Sequence, residues 1–286
     1  MIMLAVFGVA AFALLVIHVV EYVLLPRDAR AAATFAFPQR RTLDRSPLTH
    51  DAVARFLPKD ADLRARHDEG RVPLGEVRLP ALMASPLVRQ TIAGAKVKRM
   101  IDLGLAGALI AFTAPVLLAA AIAIKLESPG PVFYRQTRVG HDHKRFDLWK
   151  FRSMTVDAEA QGAVWAKQND RRVTRVGALL RRTRIDEIPQ AFNIFAGQMS
   201  FVGPRPERPE FTGLLDEAVP HYARRHLVKP GLTGWAQVNY PYGASVEDAA
   251  AKLEYDLYYV QHFSLVLDLW IVIKTLRVAA SGSGAR

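Results

Sequence analysis

The segment "LGLAGALIAFTAPVLLAAAIAIKLESPGP", residues 103–131, decides how this chain is organised. It carries no charge over residues 103–124, and at about 1.5 Å per residue a helix of that length spans a hydrocarbon core of roughly 30 Å. Pro115 lies near its middle. Proline lacks an N–H and clashes with the carbonyl four residues earlier, which costs a straight helix about 3 kcal/mol or more. We therefore predict a membrane helix that bends at Pro115.

Basic residues flank this segment on both sides. Lys96, Lys98 and Arg99 precede it, and the positive-inside rule places Lys and Arg near a membrane helix on the cytoplasmic side. With both ends cytoplasmic, the segment is predicted to be a re-entrant helix, residues 101–125, that dips into one leaflet and returns at Pro115. An ordinary transmembrane helix with a proline kink is the alternative. The basic residues that follow the segment are Lys125, Arg135, Arg138, Lys144 and Arg145.

The composition favours a membrane protein with anionic partners. The chain has 286 residues, a formal net charge of +11 and 51% hydrophobic residues. High apolar content combined with high basic charge suits work on anionic lipids or phosphorylated substrates, although a generally basic protein is the alternative. The sequence contains no cysteine, which excludes disulfides, thiolate metal sites and cysteine nucleophiles.

Residues 1–25 form another apolar stretch, with His18 and Glu21 towards its end. It has neither the basic beginning nor the small-residue cleavage site of a secretory signal, so we predict a retained transmembrane anchor. No Lys or Arg precedes it, and several arginines follow at once, so the chain from residue 26 onward is predicted to be cytoplasmic. These arginines are Arg27, Arg30, Arg40 and Arg41.

Three regions follow from these patterns. Residues 1–25 are the anchor, residues 26–95 form a charged, proline-rich cytoplasmic linker or accessory region, and residues 96–286 form one domain that includes the re-entrant helix. Within that domain, "VFYRQTRVGHDHKRFDLWKFRSM" alternates apolar and polar residues around a polar turn, which predicts a β-hairpin. "RRVTRVGALLRRTRIDEIPQAFNIF" has helical spacing, and "GQMSFVGPRPE" resembles a short strand that ends in a proline-fixed loop.

The last part of the chain begins with "VKPGLTGWAQVNY", which we predict to be a glycine-rich loop. "SVEDAAAKLEYDLYYVQHF" and "LVLDLWIVIKTLRV" are then predicted to be amphipathic helices at the membrane interface. The predicted fold class is therefore α+β and membrane-associated. It comprises an N-terminal transmembrane helix, a proline-broken re-entrant helix, and a small, mostly helical domain with a short β-hairpin.

Two adjacent carboxylates, Asp186 and Glu187, are candidates for phosphoryl chemistry. On a helix, neighbouring side chains diverge by about 100°, so the two cannot flank one atom as a general acid and base. Divided roles suit them better: one carboxylate attacks phosphorus, and the other holds Mg²⁺ against a diphosphate. The alternative is a helix start, because Asp and Glu favour a first turn and Pro189 is tolerated there.

Candidate phosphate ligands lie on both sides of this pair. Arg205 stands between Pro204 and Pro206, whose rings restrict the backbone, and a rigid guanidinium suits bidentate phosphate binding. Lys150 and Arg152 are two residues apart on a predicted strand and therefore share a face, where they either neutralise a diphosphate or form a solvated surface.

The order of four motifs carries a family resemblance: "SPGPVFYRQTRVG", "KFRSM", "RIDEIPQAFNIFAGQMSFVGPRPE" and "VKPGLTGWAQVNY". Together they resemble the bacterial sugar transferase family, the monotopic polyprenyl-phosphate phosphoglycosyl transferases, over about residues 96–278. One departure is Ala114, because the family often has serine before the helix-breaking proline. The resemblance implies that residues 96–286 are a phosphoglycosyl transferase domain.

The resemblance also implies an activity. A hexose-1-phosphate passes from a UDP-sugar to undecaprenyl phosphate and UMP is released, with Mg²⁺ as cofactor, in the first membrane step of exopolysaccharide, O-antigen or glycoconjugate synthesis. Asp186 is then the nucleophile of a covalent phosphosugar-aspartyl intermediate, and Glu187 the metal ligand. Arg138, Arg205 and Asp256 match motif positions assigned to the substrate or metal site; Arg138 lies in "RQTRVG" and Asp256 in a closing D-x-Y-Y element.

The predicted location is the cytoplasmic face of the bacterial inner membrane. A band of arginines suits contact with anionic inner-leaflet headgroups and with the lipid phosphate. The sequence is compatible with a homo-oligomer. No nucleic-acid motif is present, so nucleic acid is not a predicted partner. The alternative function is a membrane-anchored basic binding or regulatory protein without catalysis. The arginine band comprises Arg171, Arg172, Arg175, Arg181, Arg182 and Arg184.

Overall fold

A computed structural model describes residues 70–85, 92–158, 170–241, 243 and 245–280. The predicted anchor and the part of the predicted linker before Gly70 lie outside the described residues. In the described part the fold mixes helices and strands, as the α+β prediction requires.

The α-helices are α1 (Leu79–Ala84), α2 (Ile92–Glu127), α3 (Arg175–Arg182), α4 (Ala191–Phe195), α5 (Pro209–Ala218), α6 (Trp235–Asn239), α7 (Val246–Gln261) and α8 (Leu265–Ala280). The strands are β1 (Phe133–Val139), β2 (Arg145–Phe151), β3 (Ser200–Val202) and β4 (Gly231–Thr233). Short 3-10 helices span Leu74–Glu76, His141–His143, Ile185–Gln190 and Tyr222–Leu227.

Helix α2 packs on the domain along its whole length. Its buried residues are Lys98, Asp102, Leu105 and Ala106 near one end and Ala120 and Ile124 near the other. Partly buried residues lie between them, among them Leu109 and Val116, and together these positions follow one helix face. The first half of α2 joins the main hydrophobic core, and the second half joins a smaller cluster. The opposite face is apolar and exposed. Its large side chains are Val97, Met100, Phe112, Leu118, Ile122 and Leu126.

Pro115 lies inside α2, which continues through it as a single helix of 36 residues. The predicted break at this proline therefore does not interrupt the helix, and the re-entrant path through the membrane stays a prediction. Pro115 and Ala111, whose carbonyl opposes the proline ring, are both exposed, so widening of this turn meets no packed side chain. Within the described ranges, α2 is the one helix long and apolar enough to cross a membrane, and 11% of its most apolar window is buried.

The predicted β-hairpin is confirmed. Strand β1 pairs antiparallel with β2, from Phe133 opposite Phe151 to Val139 opposite Arg145. The turn between them contains Asp142, which has a left-handed backbone with φ 51°. This register turns Lys150 towards the 3-10 helix that carries the two candidate carboxylates.

A second, parallel pair of strands supports the loop that carries Arg205. Ser200 pairs with Gly231 and Val202 with Thr233. The backbones approach closely at Gly231, where a Cβ would stand 2.1 Å from the Gly203 nitrogen. Strand β4 was predicted as loop, and that prediction is wrong because three residues are too few to show the two-residue repeat of a strand.

Helix α7 is a core helix rather than the interfacial helix we predicted. Its buried residues include Leu253, Asp256, Leu257, Tyr259 and Val260, which do not share one face. The helix begins at a capping box, in which the Ser245 hydroxyl and the Asp248 carboxylate each bond the other's backbone N–H. Sequence periodicity did not reveal the burial because buried side chains such as Glu254 and Asp256 are charged and pair with residues far along the chain.

Residues 70–85, within the predicted linker, pack onto the domain. Val72 and Leu82 are almost fully buried in the main core. The Val72 N–H donates to the Glu254 carbonyl at 3.0 Å, and the Trp235 indole N–H donates to the Gly70 carbonyl at 2.8 Å. This segment therefore belongs to the same folded unit as α7.

Candidate active site

Asp186 and Glu187 stand in the first turn of the 3-10 helix Ile185–Gln190. Arg184, just before it, has a left-handed backbone with φ 60° and turns the chain sharply after α3. Ile185 packs with Ala120 and Ile124 of α2 in the smaller hydrophobic cluster. The carboxylates therefore begin a helix, as one interpretation held, and this helix is fixed against the apolar helix α2.

Two cations hold Glu187. Lys150 Nζ donates to Glu187 Oε1 at 3.3 Å. Arg205 binds both carboxylate oxygens, with Nη1 donating to Oε2 at 3.2 Å and Nη2 donating to Oε1. Although burial raises the pKa of Glu187, the charges of Arg205 and Lys150 hold it well below its usual value. Glu187 is therefore an ionised and oriented carboxylate.

Asp186 is in a different state. It is buried and accepts no hydrogen bond from the part of the chain that the structure describes. Burial, and then the negative charge of Glu187, raise the pKa of Asp186 to about 6, against the opposing charges of Lys150, Arg181 and Arg184. Its oxygens thus have no hydrogen-bond donor among the described residues, and the raised pKa of Asp186 is about 6.

Lys150 and Arg205 lie at Glu187, while their contact with a substrate phosphate stays a prediction, and Arg138 lies behind them. Arg138 Nη2 donates to Gln136 Oε1 at 2.6 Å, and its Nη1 donates at 3.3 Å to Glu207 Oε1 and to the Pro206 carbonyl. It therefore binds the chain just beyond Arg205 and contributes positive charge near the carboxylates.

Arg152 is not part of this cluster. Its guanidinium donates to the Pro129 carbonyl at 2.6 Å and to the Ser128 carbonyl at 2.8 Å. The Ser128 hydroxyl accepts a further bond at 2.9 Å, and the Ile124 carbonyl one at 3.5 Å. Ile124 lies in the last turn of α2, and Ser128 and Pro129 follow the helix directly, so Arg152 caps the C-terminal end of α2. A substrate contact for Arg152 stays a prediction that this geometry does not favour.

Asp256 is also remote from the carboxylates. It is almost fully buried and accepts hydrogen bonds from Arg225, at 3.1 Å from Nε and 2.8 Å from Nη2. Arg225 Nη2 in turn donates to the Arg205 carbonyl at 2.9 Å. Asp256 therefore reaches the site through Arg225, and a direct contact with substrate stays a prediction.

The sequence did not identify Arg225 or Glu207. Arg225 lies in "HYARRHL" beside Arg224, and no sequence pattern indicates which of the two arginines belongs to the site. Only the fold shows that Arg225 is buried against Asp256. Glu207 follows the proline loop and could have been proposed as a partner for Arg138, because it is the nearest acidic residue to Arg205 along the chain.

A family model described as bacterial sugar transferase matches residues 93–282. The chain belongs to the bacterial sugar transferase family. A UDP-N-acetylgalactosamine-undecaprenyl-phosphate N-acetylgalactosaminephosphotransferase of Aeromonas hydrophila is 46% identical over 213 residues, which cover 74% of this chain and 49% of that protein. A UDP-glucose:undecaprenyl-phosphate glucose-1-phosphate transferase of Escherichia coli K12 is 43% identical over 195 residues, which cover 67% of this chain and 42% of that protein.

Another relative is covered by the match over most of its own length. The exopolysaccharide production protein PSS of Rhizobium leguminosarum bv. phaseoli is 42% identical over 185 residues, which cover 63% of this chain and 92% of that protein. By contrast, this chain spans about half the length, or less, of the Aeromonas and Escherichia relatives. Residues 70–85 lie before the segment that the family model matches.

The family resemblance implies Mg²⁺, and the residues fit it. No group of three or more His, Cys, Asp or Glu side chains in the described ranges forms a metal site by itself. Mg²⁺ usually binds through one or two carboxylates and takes its other oxygens from water and substrate phosphates. Asp186 and Glu187 provide such carboxylates. Glu187 Oε2 accepts one hydrogen bond, which leaves it acceptor capacity for a cation.

Proposed function

We propose that this protein transfers a hexose-1-phosphate from a UDP-sugar to undecaprenyl phosphate and releases UMP. The relatives named above carry undecaprenyl-phosphate sugar-phosphate transfer or exopolysaccharide production in their names, and this chain shares their family region. The observation that carries the proposal is the unequal pair of carboxylates. Asp186 accepts no hydrogen bond from the described residues and has a pKa of about 6, while Glu187 is ionised and bound by Lys150 and Arg205.

The chemistry follows as two displacements at one phosphorus atom. An ionised Asp186 oxygen attacks the phosphorus that bears the sugar, the bond from that phosphorus to the bridging oxygen breaks, and UMP leaves. A phosphate oxygen of undecaprenyl phosphate then attacks the same phosphorus. The aspartyl bond breaks, and the lipid diphosphate sugar departs. Asp186 returns as a free carboxylate.

The neighbouring residues have separate tasks in this scheme. Lys150, Arg138 and Arg205 supply positive charge where the diphosphate must bind, and their fixed positions suit stabilisation of charge that shifts during transfer. Glu187, with Asp186 beside it, would hold Mg²⁺. The ion, when bound, would neutralise phosphate oxygens and assist the departure of the nucleotide.

The membrane geometry supports an inner-leaflet enzyme whose α2 does not cross the bilayer. The face of α2 that packs on the fold has buried residues near both ends, Lys98 and Leu105 at one and Ala120 and Ile124 at the other, while the opposite face is apolar and exposed. If this helix crossed the membrane, the charged domain packed along it would enter the hydrocarbon core, which is very costly. We infer that both ends of α2 stay on the cytoplasmic side and that its apolar face lies in the lipid of one leaflet, as in a re-entrant or interfacial helix.

The test is a UMP-release assay with the full chain in lipid nanodiscs. A panel of UDP-sugars is supplied with and without undecaprenyl phosphate, and we expect sustained UMP release with a UDP-hexose only when the lipid is present. Without the lipid, mass spectrometry should detect a phosphosugar on the Asp186 peptide. Asp216→Asn, on α5, is the matched control and should keep activity.

Two results would contradict the proposal. If no UDP-sugar yields UMP in the presence of the lipid, the reaction class is wrong. If a preparation turns over but its Asp186 peptide stays unmodified, transfer is direct and the covalent step is wrong.

A further inference from the structure

The loop that carries Arg205 is held from beneath by a buried ion pair. Arg225 Nη2 donates both to the Arg205 carbonyl, at 2.9 Å, and to Asp256 Oδ2, at 2.8 Å. Arg225 Nε makes a second bond to Asp256 Oδ2 at 3.1 Å, and Nη1 donates to the Tyr222 hydroxyl at 2.6 Å. Both members of the pair are more than nine-tenths buried.

A similar arrangement holds the other end of the loop. Lys98 Nζ donates to the Val202 carbonyl at 3.3 Å and to Asp268 Oδ2 at 2.6 Å. The Tyr259 hydroxyl lies 2.7 Å from Asp268 Oδ1 and 3.1 Å from the Val202 carbonyl. At both ends of residues 202–205, therefore, a buried cation binds a backbone carbonyl and a buried aspartate, and Lys98 has Asp102 as a second buried aspartate at 3.7 Å.

These contacts determine where the Arg205 guanidinium stands. Pro204 and Pro206 restrict the local backbone, and the carbonyl of Arg205 is fixed within the same residue that sends its side chain to Glu187. If the Arg225–Asp256 pair is broken, one charge is left buried without its partner. We expect the loop that carries Arg205 to shift as a result. A displacement of about 1 Å can cost a catalytic site roughly 100-fold in rate.

We propose that Asp256 and Arg225 are positioning residues, which act on the reaction by fixing the loop of Arg205 and, through Arg205, the carboxylate of Glu187. This inference rests on the proposed function, in which Arg205 and Glu187 meet the diphosphate. It gives the closing D-x-Y-Y element of the sequence a task other than substrate contact, because Asp256 lies behind the loop and Tyr259 borders its other end.

Helix α7 offers a matched control. Glu254 is as buried as Asp256 and lies two residues before it, but its carboxylate pairs with Arg71, at 3.5 Å, on the segment before α2. Asp256→Asn and Glu254→Gln each remove one buried negative charge from the same helix. Only the first loosens the contact with the Arg205 loop. Arg225→Lys is a second test variant, since it keeps the charge while it replaces the planar fork with a single ammonium.

The experiment has two readouts in nanodiscs. Hydrogen–deuterium exchange of residues 202–206 reports the loop without reference to the reaction, and we expect faster exchange in Asp256→Asn and Arg225→Lys than in wild type or Glu254→Gln. In UMP release, we expect kcat/KM for the UDP-sugar to fall roughly 10- to 100-fold in the two test variants and to stay within about 2-fold in Glu254→Gln. In an Arg205→Ala background, Asp256→Asn should cause little further loss, because the two residues act as one unit.

The results separate the two proposals. If Asp256→Asn and Glu254→Gln exchange alike over residues 202–206, or if Asp256→Asn loses activity by the same factor with and without Arg205, the positioning role is wrong. A wild-type protein that releases no UMP contradicts the proposed function instead, and the exchange comparison still tests the loop.

Discussion

Asp186 and Glu187 are neighbours in sequence and differ in electrostatic state because their surroundings differ. Glu187 reaches Lys150 and Arg205, whereas Asp186 is buried beside Glu187 with no described hydrogen-bond donor. Such separation of two carboxylates is how proteins assign different roles to identical groups. The same separation makes the ionised form of Asp186 costly to the folded state.

We predict that Asp186→Asn abolishes turnover and stabilises the fold at pH 7.5. The pKa of Asp186 is raised from 3.8 to about 6 by burial and by Glu187, so the folded protein binds a proton more tightly than the unfolded chain does. The stability that protonated Asp186 gives the folded state is therefore lost as pH rises from about 4 to 6. Above pH 6 the free energy of unfolding is lower by roughly 3 kcal/mol at most. Thermal unfolding should give a higher Tm for the variant at pH 7.5, with the difference shrinking towards pH 4. An equal or lower Tm at pH 7.5 would contradict the assignment.

The pH dependence of activity provides a second prediction at this scale. In the proposed mechanism the ionised form of Asp186 is the nucleophile, so kcat/KM for the UDP-sugar should decline below about pH 6, approaching tenfold per pH unit. Activity measured between pH 5 and 8 in nanodiscs checks this, with UMP release as the readout. The UDP-sugar diphosphate stays ionised over this range, and circular dichroism at each pH controls for unfolding. A flat profile down to pH 5 would be inconsistent with a pKa near 6 for Asp186.

At the scale of elements, α2 has two apolar faces with different surroundings. Buried positions such as Leu105 and Ala120 face the domain, and exposed positions such as Phe112 and Leu118 face outward. Over residues 103–124 average hydrophobicity cannot distinguish these faces, because neither carries a charge and both are largely apolar. Packing against α3, α4, β3 and the 3-10 helix Ile185–Gln190 makes the distinction.

We predict that both ends of α2 are on the cytoplasmic side. The chain has no native cysteine, so Lys96→Cys and Lys125→Cys, both at exposed positions, give single labelling sites. A membrane-impermeant maleimide should label both in inverted vesicles and neither in right-side-out vesicles. Leu118→Cys, on the exposed apolar face, should resist the reagent in both because it lies in lipid. Labelling of Lys96→Cys and Lys125→Cys from opposite sides would make α2 a plain transmembrane helix.

On the scale of the whole molecule, the domain extends beyond the segment that the family model matches. Residues 70–85 contribute Val72 and Leu82 to the main core and bind α7 and Trp235. The cationic site, the apolar face of α2 and this preceding segment are thus parts of one packed unit. Changes in residues 70–85 should affect stability rather than chemistry.

We predict that Leu82→Ala lowers the stability of the whole domain by about 2–5 kcal/mol, because it leaves a cavity at a side chain that is 1% exposed. The neighbouring Met83, 51% exposed, is the matched control, and Met83→Ala should change stability by about 0.5 kcal/mol or less. Chemical unfolding in detergent measures both. Turnover per folded molecule should remain at the wild-type value, and equal unfolding midpoints for the two variants would mean that α1 is not part of the core.

The sequence by itself determined the features that depend on neighbours a few residues apart. Alternation of apolar and polar residues specified the β1–β2 hairpin, helical spacing specified α3, and acidic residues beside Pro189 marked the start of a helix. Motif order indicated the family. It also selected Lys150 and Arg205, which the fold brings to Glu187.

Only the tertiary structure decided which distant residues meet. Arg152 was expected beside Lys150 but caps α2, and α7 was expected at the membrane surface but lies in the core. Arg225 carries no sequence signal, since its partner Asp256 is 31 residues away. Local patterns report the period of a helix or strand, whereas the partner of a buried charge is set by how whole elements pack, and this depends on contacts that no short window of sequence contains.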